Sequence, residues 1–174
     1  QPTVGFSPTL FETDTCDVCV FDLGGGANFR SIWRHYYHDV HGIIFIIDGS
    51  DSNRLAEAAS CLSDTLSHPY IQSKPLLLFL NKRDKAEFIG VDSLKQRLDV
   101  ASLTSGNPTN VLPICAIESD PGIDSGVDWL LGNIKDGFDS LSALVSKHSA
   151  EVKEAKKKSL AEQAERVAAA NASD

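Results

Sequence analysis

Two apolar patterns alternate along this chain. Gly42–Ile47 and Leu76–Leu80 are short, unbroken apolar runs, closing on Asp48 and Asn81. Runs of this length, bounded by polar or turn residues, predict strands buried on both faces. Leu55–Leu66 and Val91–Leu103 instead repeat apolar residues at three- and four-residue steps, which predicts helices. Asp92 or Ser93 is the candidate cap of the second. Asn110–Ala116 reads as a last strand, ending in Cys115-Ala116-Ile117, with a helix starting near Asp124 or Ser125. Upstream, Thr9–Phe11 and Cys16–Phe21 read as short strands joined by the polar turn Glu12–Thr15, and Phe29–Tyr37 as a short helix. Strands alternating with helices predict an α/β fold: a mostly parallel sheet with helices on both faces.

The last quarter changes character. Trp129, Leu130, Ile134, Phe138, Leu141, Leu144 and Val145 form an apolar helical stripe, weakened at Gly137. From Ser146 to Ala170 the chain is rich in Ala, Glu, Lys and Gln, with few large apolar residues. It reads as a helical extension, fraying after Val167. The expected organisation is a domain over residues 1–145 followed by a charged helix over 146–174.

Charge and cysteines narrow the chemistry. The 174 residues carry a net charge of −8, which argues against a nucleic-acid surface. Lys156-Lys157-Lys158 reads as a solvated helix face. Cys16 and Cys19 are three apart on a strand, so they point to opposite faces, and no second pair completes a zinc site. Free thiols suit a reducing compartment. No apolar run is long enough to span a membrane. The five histidines show no metal-ligand spacing.

The candidate chemistry lies at strand ends, where open α/β sheets bind ligands. Asp22-Leu23-Gly24-Gly25-Gly26 follows an apolar strand. An aspartate there can reach Mg²⁺ through water, and the Gly25 backbone can approach a γ-phosphate. In Pro2-Thr3-Val4-Gly5, the Thr3 hydroxyl is a candidate Mg²⁺ ligand and its N–H a candidate γ-phosphate donor. Asn81-Lys82-Arg83-Asp84 points to a guanine base. The Asp84 carboxylate can accept from the guanine N1–H and exocyclic amine, a pair adenine does not present. The Lys82 stem can lie over the base and Asn81 can tie the loop to its neighbours. Cys115 and Ala116 end the next strand, where the Ala116 N–H could meet guanine O6. Asp22, Asn81 and Cys115 are thus candidates for one site binding GTP or GDP with Mg²⁺. Gly26 stands where a GTPase of this kind carries a water-orienting side chain, usually glutamine. No residue is then assigned a catalytic role, and slow hydrolysis is expected.

In this order, Pro-Thr-Val-Gly-Phe, Asp-Leu-Gly-Gly-Gly, Phe29 through Tyr37, Gly42 through Asp51, Asn81-Lys82-Arg83-Asp84 and Gly126-Val127-Asp128-Trp129-Leu130 resemble the Arf-like small GTPases over roughly residues 1 to 145. Gly26 and the long charged helix narrow the resemblance to the ciliary type linked to Joubert syndrome. That resemblance implies a GTP-binding switch at the ciliary membrane. Its GTP-bound form would be the exchange factor for a smaller ciliary Arf-like GTPase, engaged through the switch face and the helical extension. Anchoring would come from lipidated cysteines ahead of the domain, absent here. A partner-activated hydrolysing GTPase and a non-catalytic scaffold remain the alternatives. The largest departure is the missing Gly-x-x-x-x-Gly-Lys-[Ser/Thr] phosphate loop. With no starting methionine, the chain is expected to be a fragment, its loop and first strand supplied by a preceding piece or a separate chain.

Overall fold

The computed structural model describes residues 3, 5–13 and 15–171. Pro2 and Val4 of the threonine segment lie outside them. The chain divides into two compact units, residues 1–38 and 39–174.

The first unit is an antiparallel hairpin and a short helix. β1 (Phe6–Glu12) pairs with β2 (Asp17–Leu23), from Phe6 opposite Leu23 to Glu12 opposite Asp17. The turn is closed by Thr13, whose N–H and hydroxyl both donate to the Cys16 carbonyl at 2.9 Å. β1 extends three residues earlier than its apolar pattern suggested. α1 (Arg30–Trp33) is a single turn, so most of the helix expected to Tyr37 is a run of turns. Every β1 residue is exposed, including Phe6, Leu10 and Phe11. What apolar contact exists is aromatic: the Tyr36 ring lies 5.5 Å from Phe6 and 4.9 Å from Phe21.

The second unit is the α/β body. β3 (Ile43–Asp48), β4 (Leu76–Asn81) and β5 (Thr109–Pro113) form a parallel sheet in that order. α2 (Leu55–Leu66) connects the first pair; α3 (Val91–Arg97) and α4 (Val100–Leu103) connect the second. α5 (Pro121–Asp136) and α6 (Phe138–Asn171) follow. β4 sits between two neighbours, and Leu76 through Leu80 are all buried. On one face Leu77 and Phe79 pack with Ile114 and with Leu130 of α5. Gly126 permits that approach, since a Cβ there would lie 2.7 Å from the Phe79 ring.

Several expectations need correction. β3 is not buried on both faces: Ile44 and Ile46 are exposed, at 39% and 59%. It is an edge strand, pairing with β4 alone among the described residues. The Val91–Leu103 helix is two pieces, interrupted at Asp99 with φ +44°, and its start is Gly90 rather than a side-chain cap. α5 begins at Pro121, three residues before Asp124. Asp120 caps it by accepting from the Gly122 N–H at 2.9 Å, with proline preorganised at the first helical position. Gly137 breaks the final stripe into two helices. α6 then runs 34 residues, and from Lys153 to Arg166 every residue is exposed.

Candidate nucleotide-binding site

The candidate base-reading residues sit on the turn that ends the buried strand β4. Lys82 adopts φ +68°, a left-handed conformation uncommon outside glycine, which turns the chain sharply after Asn81. Asn81 Oδ1 accepts from the Lys82 N–H at 2.8 Å and from the Ala116 N–H at 3.0 Å. One amide oxygen thus joins the β4 turn to the loop after β5, as expected of Asn81. The Ala116 N–H is therefore engaged within the protein, and a base oxygen reaching it must share it with Asn81.

Lys82 is held from a third loop. Its ammonium lies 2.6 Å from Asp48 Oδ2, while Asp48 Oδ1 accepts from the Ser50 N–H and hydroxyl at 3.0 and 2.7 Å. Burial works to raise the Asp48 carboxyl, but Lys82 and Ser50 outweigh it and hold it below the usual range. Asp48 also raises the Lys82 ammonium. This pair ties the Lys82 ammonium to the loop after β3.

Asp84 closes the turn. Its Oδ1 accepts from the Cys115 thiol at 3.3 Å, and Lys85 lies 3.7 Å from its Oδ2. Burial pushes the Cys115 thiol up, so it stays protonated and donates. An ionised carboxylate has about four acceptor positions. Capacity therefore remains for two N–H donors, which suits the guanine edge and not the adenine edge.

One residue here escaped the sequence reading. Asp120 is almost wholly buried, yet accepts from the Cys115 N–H at 2.6 Å, the Gly122 N–H at 2.9 Å and the Arg83 guanidinium at 3.2 Å. The Gly122 and Cys115 N–H groups, then burial in opposition and Arg83 in support, hold its carboxyl below the usual range. The Asp120-Pro121-Gly122 sequence, an N-cap followed by proline, was the available signal.

The phosphate-sensing candidates lie in the first unit. The Thr3 hydroxyl donates to Asp22 Oδ2 at 3.3 Å, so the two expected Mg²⁺ ligands are brought together. A hydroxyl and a carboxylate are hard oxygen donors, and Mg²⁺ is commonly bound by one or two protein oxygens plus phosphates and waters. The pair fits that role and is too few for an all-protein cage. No group of three or more His, Cys, Asp or Glu is placed to hold a metal ion among the described residues.

The glycine turn is built for close approach. A Cβ on Gly24 would meet the Thr3 carbonyl at 2.6 Å, whereas beside Gly25 there is open space. Gly24 donates to the Gly5 carbonyl at 3.0 Å. Arg30 Nε and Trp33 Nε1 donate to the Gly25 and Gly24 carbonyls, each at 3.0 Å. Both carbonyls are thereby turned toward α1. This support by Arg30 and Trp33 was not read from sequence; side chains five and nine residues away carry no local signature. Gly26 lies against Phe29, 3.4 Å from where its Cβ would stand, and presents no polar side chain.

The chain is similar to known proteins in sequence and in fold. A profile of the ADP-ribosylation factor family matches residues 1–134. The chain is 31% identical over 159 residues to ADP-ribosylation factor-like protein 13B of Chlamydomonas reinhardtii, covering 88% of this chain and 30% of that protein. It therefore spans less than a third of that relative. It is 35% identical over 136 residues to ADP-ribosylation factor-like protein 6 of Danio rerio, covering 77% of this chain and 72% of the relative. The Arl6 BBS3 small GTPase of Trypanosoma brucei, solved with the nucleotide analogue GppNp, matches with a TM-score of 0.64 and 29% identity. That match covers 85% of this chain and 83% of the other.

Proposed function

This chain belongs to the ADP-ribosylation factor family of small GTPases, and from that premise we propose that its GTP-bound form is the exchange factor for a smaller ciliary Arf-like GTPase. The observation that carries the proposal is α6. Similarity to the factor-like protein 13B runs over 159 residues, further than the family profile's 1–134, and α6 continues as 34 residues of helix with its distal half exposed. A GTPase needs no such arm to hold nucleotide; a partner-binding protein can use one. On this reading residues 1–145 are the GTPase domain and 146–174 the extension. Two separate candidate contact surfaces for the partner are the exposed Phe6, Leu10 and Phe11 of the hairpin and the exposed half of α6. Exchange follows if the complex favours the partner's nucleotide-free state, since only differential affinity shifts an equilibrium.

Within the switch, Asp84 reads the base, with Asn81, Lys82, Cys115 and Ala116 shaping its loop. Thr3 and Asp22 hold Mg²⁺, Asp22 through water, and the Thr3 and Gly25 N–H groups meet the γ-phosphate. Mg²⁺ supplies neutralisation of the phosphate charge. Gly26 offers nothing to orient water, so intrinsic hydrolysis is slow and the GTP state long-lived. The phosphate loop comes from a segment outside these 174 residues, covalent or separate. The open edge of β3 and the exposed Ile44 and Ile46 suit an added strand there. The protein works on the cytosolic face of the ciliary membrane, anchored by an upstream lipidated segment. None of its described helices is long and apolar enough to cross a membrane.

The test loads the protein, with its phosphate-loop segment present, with a non-hydrolysable GTP analogue and follows fluorescent GDP release from the smaller Arf-like GTPase. Acceleration by the GTP-analogue form and not the GDP form is expected. Release that is equal with either form, or unchanged, removes the exchange assignment.

A further inference from the structure

We propose that Asp120 and Arg83 form a charged clamp that positions the guanine-reading loops, making Asp120 a determinant of guanine-nucleotide retention although its sequence reads only as a helix cap. This rests on the guanine-reading assignment of Asp84.

The argument is one of connections. The loop after β4 and the loop after β5 must be held in register if the Asp84 carboxylate and the Cys115-Ala116 backbone are to present one surface to a base. The backbone makes one link, Arg83 N–H to the Ile114 carbonyl at 3.1 Å. Asn81 makes a second, through the Ala116 N–H. A base oxygen that recruits that N–H draws on the same donor, so the Asn81 link weakens when it is most needed. The Cys115–Asp84 contact is a weak thiol bond to the carboxylate that the base also uses.

Asp120 competes with none of these groups. Its carboxylate is buried, one oxygen taking the Gly122 N–H of α5 and the other the Cys115 N–H and the Arg83 guanidinium. It couples helix α5, the β5 loop and the base-reading loop through one group. Charge-assisted bonds are shorter and stronger than neutral ones, in keeping with the 2.6 Å separation from the Cys115 nitrogen. Asp120 touches no part of the expected nucleotide position on these contacts; it acts through Cys115 and Arg83, as a positioning residue.

A plain cap and a clamp can be separated. Asparagine caps helices about as well as aspartate, so D120N keeps the Gly122 cap while removing both the charge that holds Arg83 and the oxygen that accepts from the Cys115 N–H. The experiment makes D120N, R83A and the double variant in the protein with its phosphate-loop segment present. It measures the release of fluorescent GDP and of its inosine counterpart, which lacks the exocyclic amine. Hydrogen exchange at the Cys115 and Ala116 amides is read in the nucleotide-free protein. The clamp predicts that R83A speeds GDP release by about tenfold, the scale of one lost charged hydrogen bond, that D120N, which also loses the Cys115 bond, speeds it more, and that the double variant goes no further than D120N. The preference for guanine over inosine narrows, and both amides exchange faster without nucleotide.

Wild-type release and exchange in D120N and R83A, with the guanine preference of the parent intact, would overturn the clamp alone. A parent protein that retains ADP as well as GDP would overturn the base-reading assignment, and the clamp with it.

Discussion

β2 and β4 each end in a residue assigned to nucleotide recognition, and they are built in opposite ways. β4 is central, parallel on both sides, and buried from Leu76 to Leu80. The turn it feeds is cross-linked by Asn81, Lys82, Arg83 and Asp84, each bonded to a different partner group. β2 is half of a two-stranded hairpin, none of whose residues is fully buried. The turn it feeds is held by bonds from within the first unit: the Arg30 and Trp33 side chains to the Gly25 and Gly24 carbonyls, Thr3 to Asp22, and the backbone bonds Gly24 to Gly5 and Phe29 to Gly26. Two-stranded hairpins are marginally stable by themselves. The turn proposed to read the base is therefore built on a buried central strand, while the segment proposed to sense phosphate is built on an exposed hairpin. A switch needs this division: fixed affinity for the base, and low-cost rearrangement where the γ-phosphate is sensed.

The strongest challenge to the β4 half is removal of its reading group. Asp84→Ala should cost about 10³-fold or more in GDP affinity, because a site built to pair polar groups loses heavily when one is deleted. Titration with fluorescent GDP checks it, and ADP binding should change little. Next comes the strand beneath. Leu78→Ala, at a fully buried position, should cost about 2–5 kcal/mol in denaturant unfolding, the usual range for a core truncation. The exposed Leu10→Ala on β1 should fall within about 0.5 kcal/mol. A hairpin variant costing as much as the core variant would erase the contrast.

A smaller effect follows from Lys74, wholly buried at the entry to β4, where burial pushes its ammonium down to about 8 against opposition from Asp39. The folded state then binds fewer protons than the unfolded chain between about 8 and the ordinary 10.5. Stability should rise with pH across that window and carry the full penalty below it. Lys74→Met should flatten the rise in unfolding curves taken from pH 7 to 10.5. Asp120 runs the other way. Its lowered carboxyl contributes above the ordinary carboxylate range and loses that contribution as pH falls through its own lower value. The acid limb of the stability profile should be shallower in Asp120→Asn.

Sequence legibility followed the same division. α2 and β4 stood out because period and burial agree over their whole length, and Leu55–Leu66 is the helix the spacing predicted. The four-residue Asn-Lys-Arg-Asp turn was legible because its chemistry is local. Ile44 and Ile46 misled, since an apolar run reads alike whether a strand is central or at an edge. Asp99 was hidden because periodicity bridges a single left-handed residue. Asp120, Arg30 and Trp33 were missed for another reason. The Asp120 cap of α5 had a local signal in Asp120-Pro121-Gly122, but its bonds to Cys115 and Arg83, like those of Arg30 and Trp33 to the glycine turn, follow from tertiary approach that no spacing rule reports.

The most direct test is amide hydrogen exchange of the protein, supplied with the proposed phosphate-loop segment, in its GDP and GTP-analogue forms. The account predicts that the two forms differ within residues 3–38 and agree over 81–84 and 114–120. Differences concentrated in the β4 and β5 loops, or an unchanged hairpin, would contradict it.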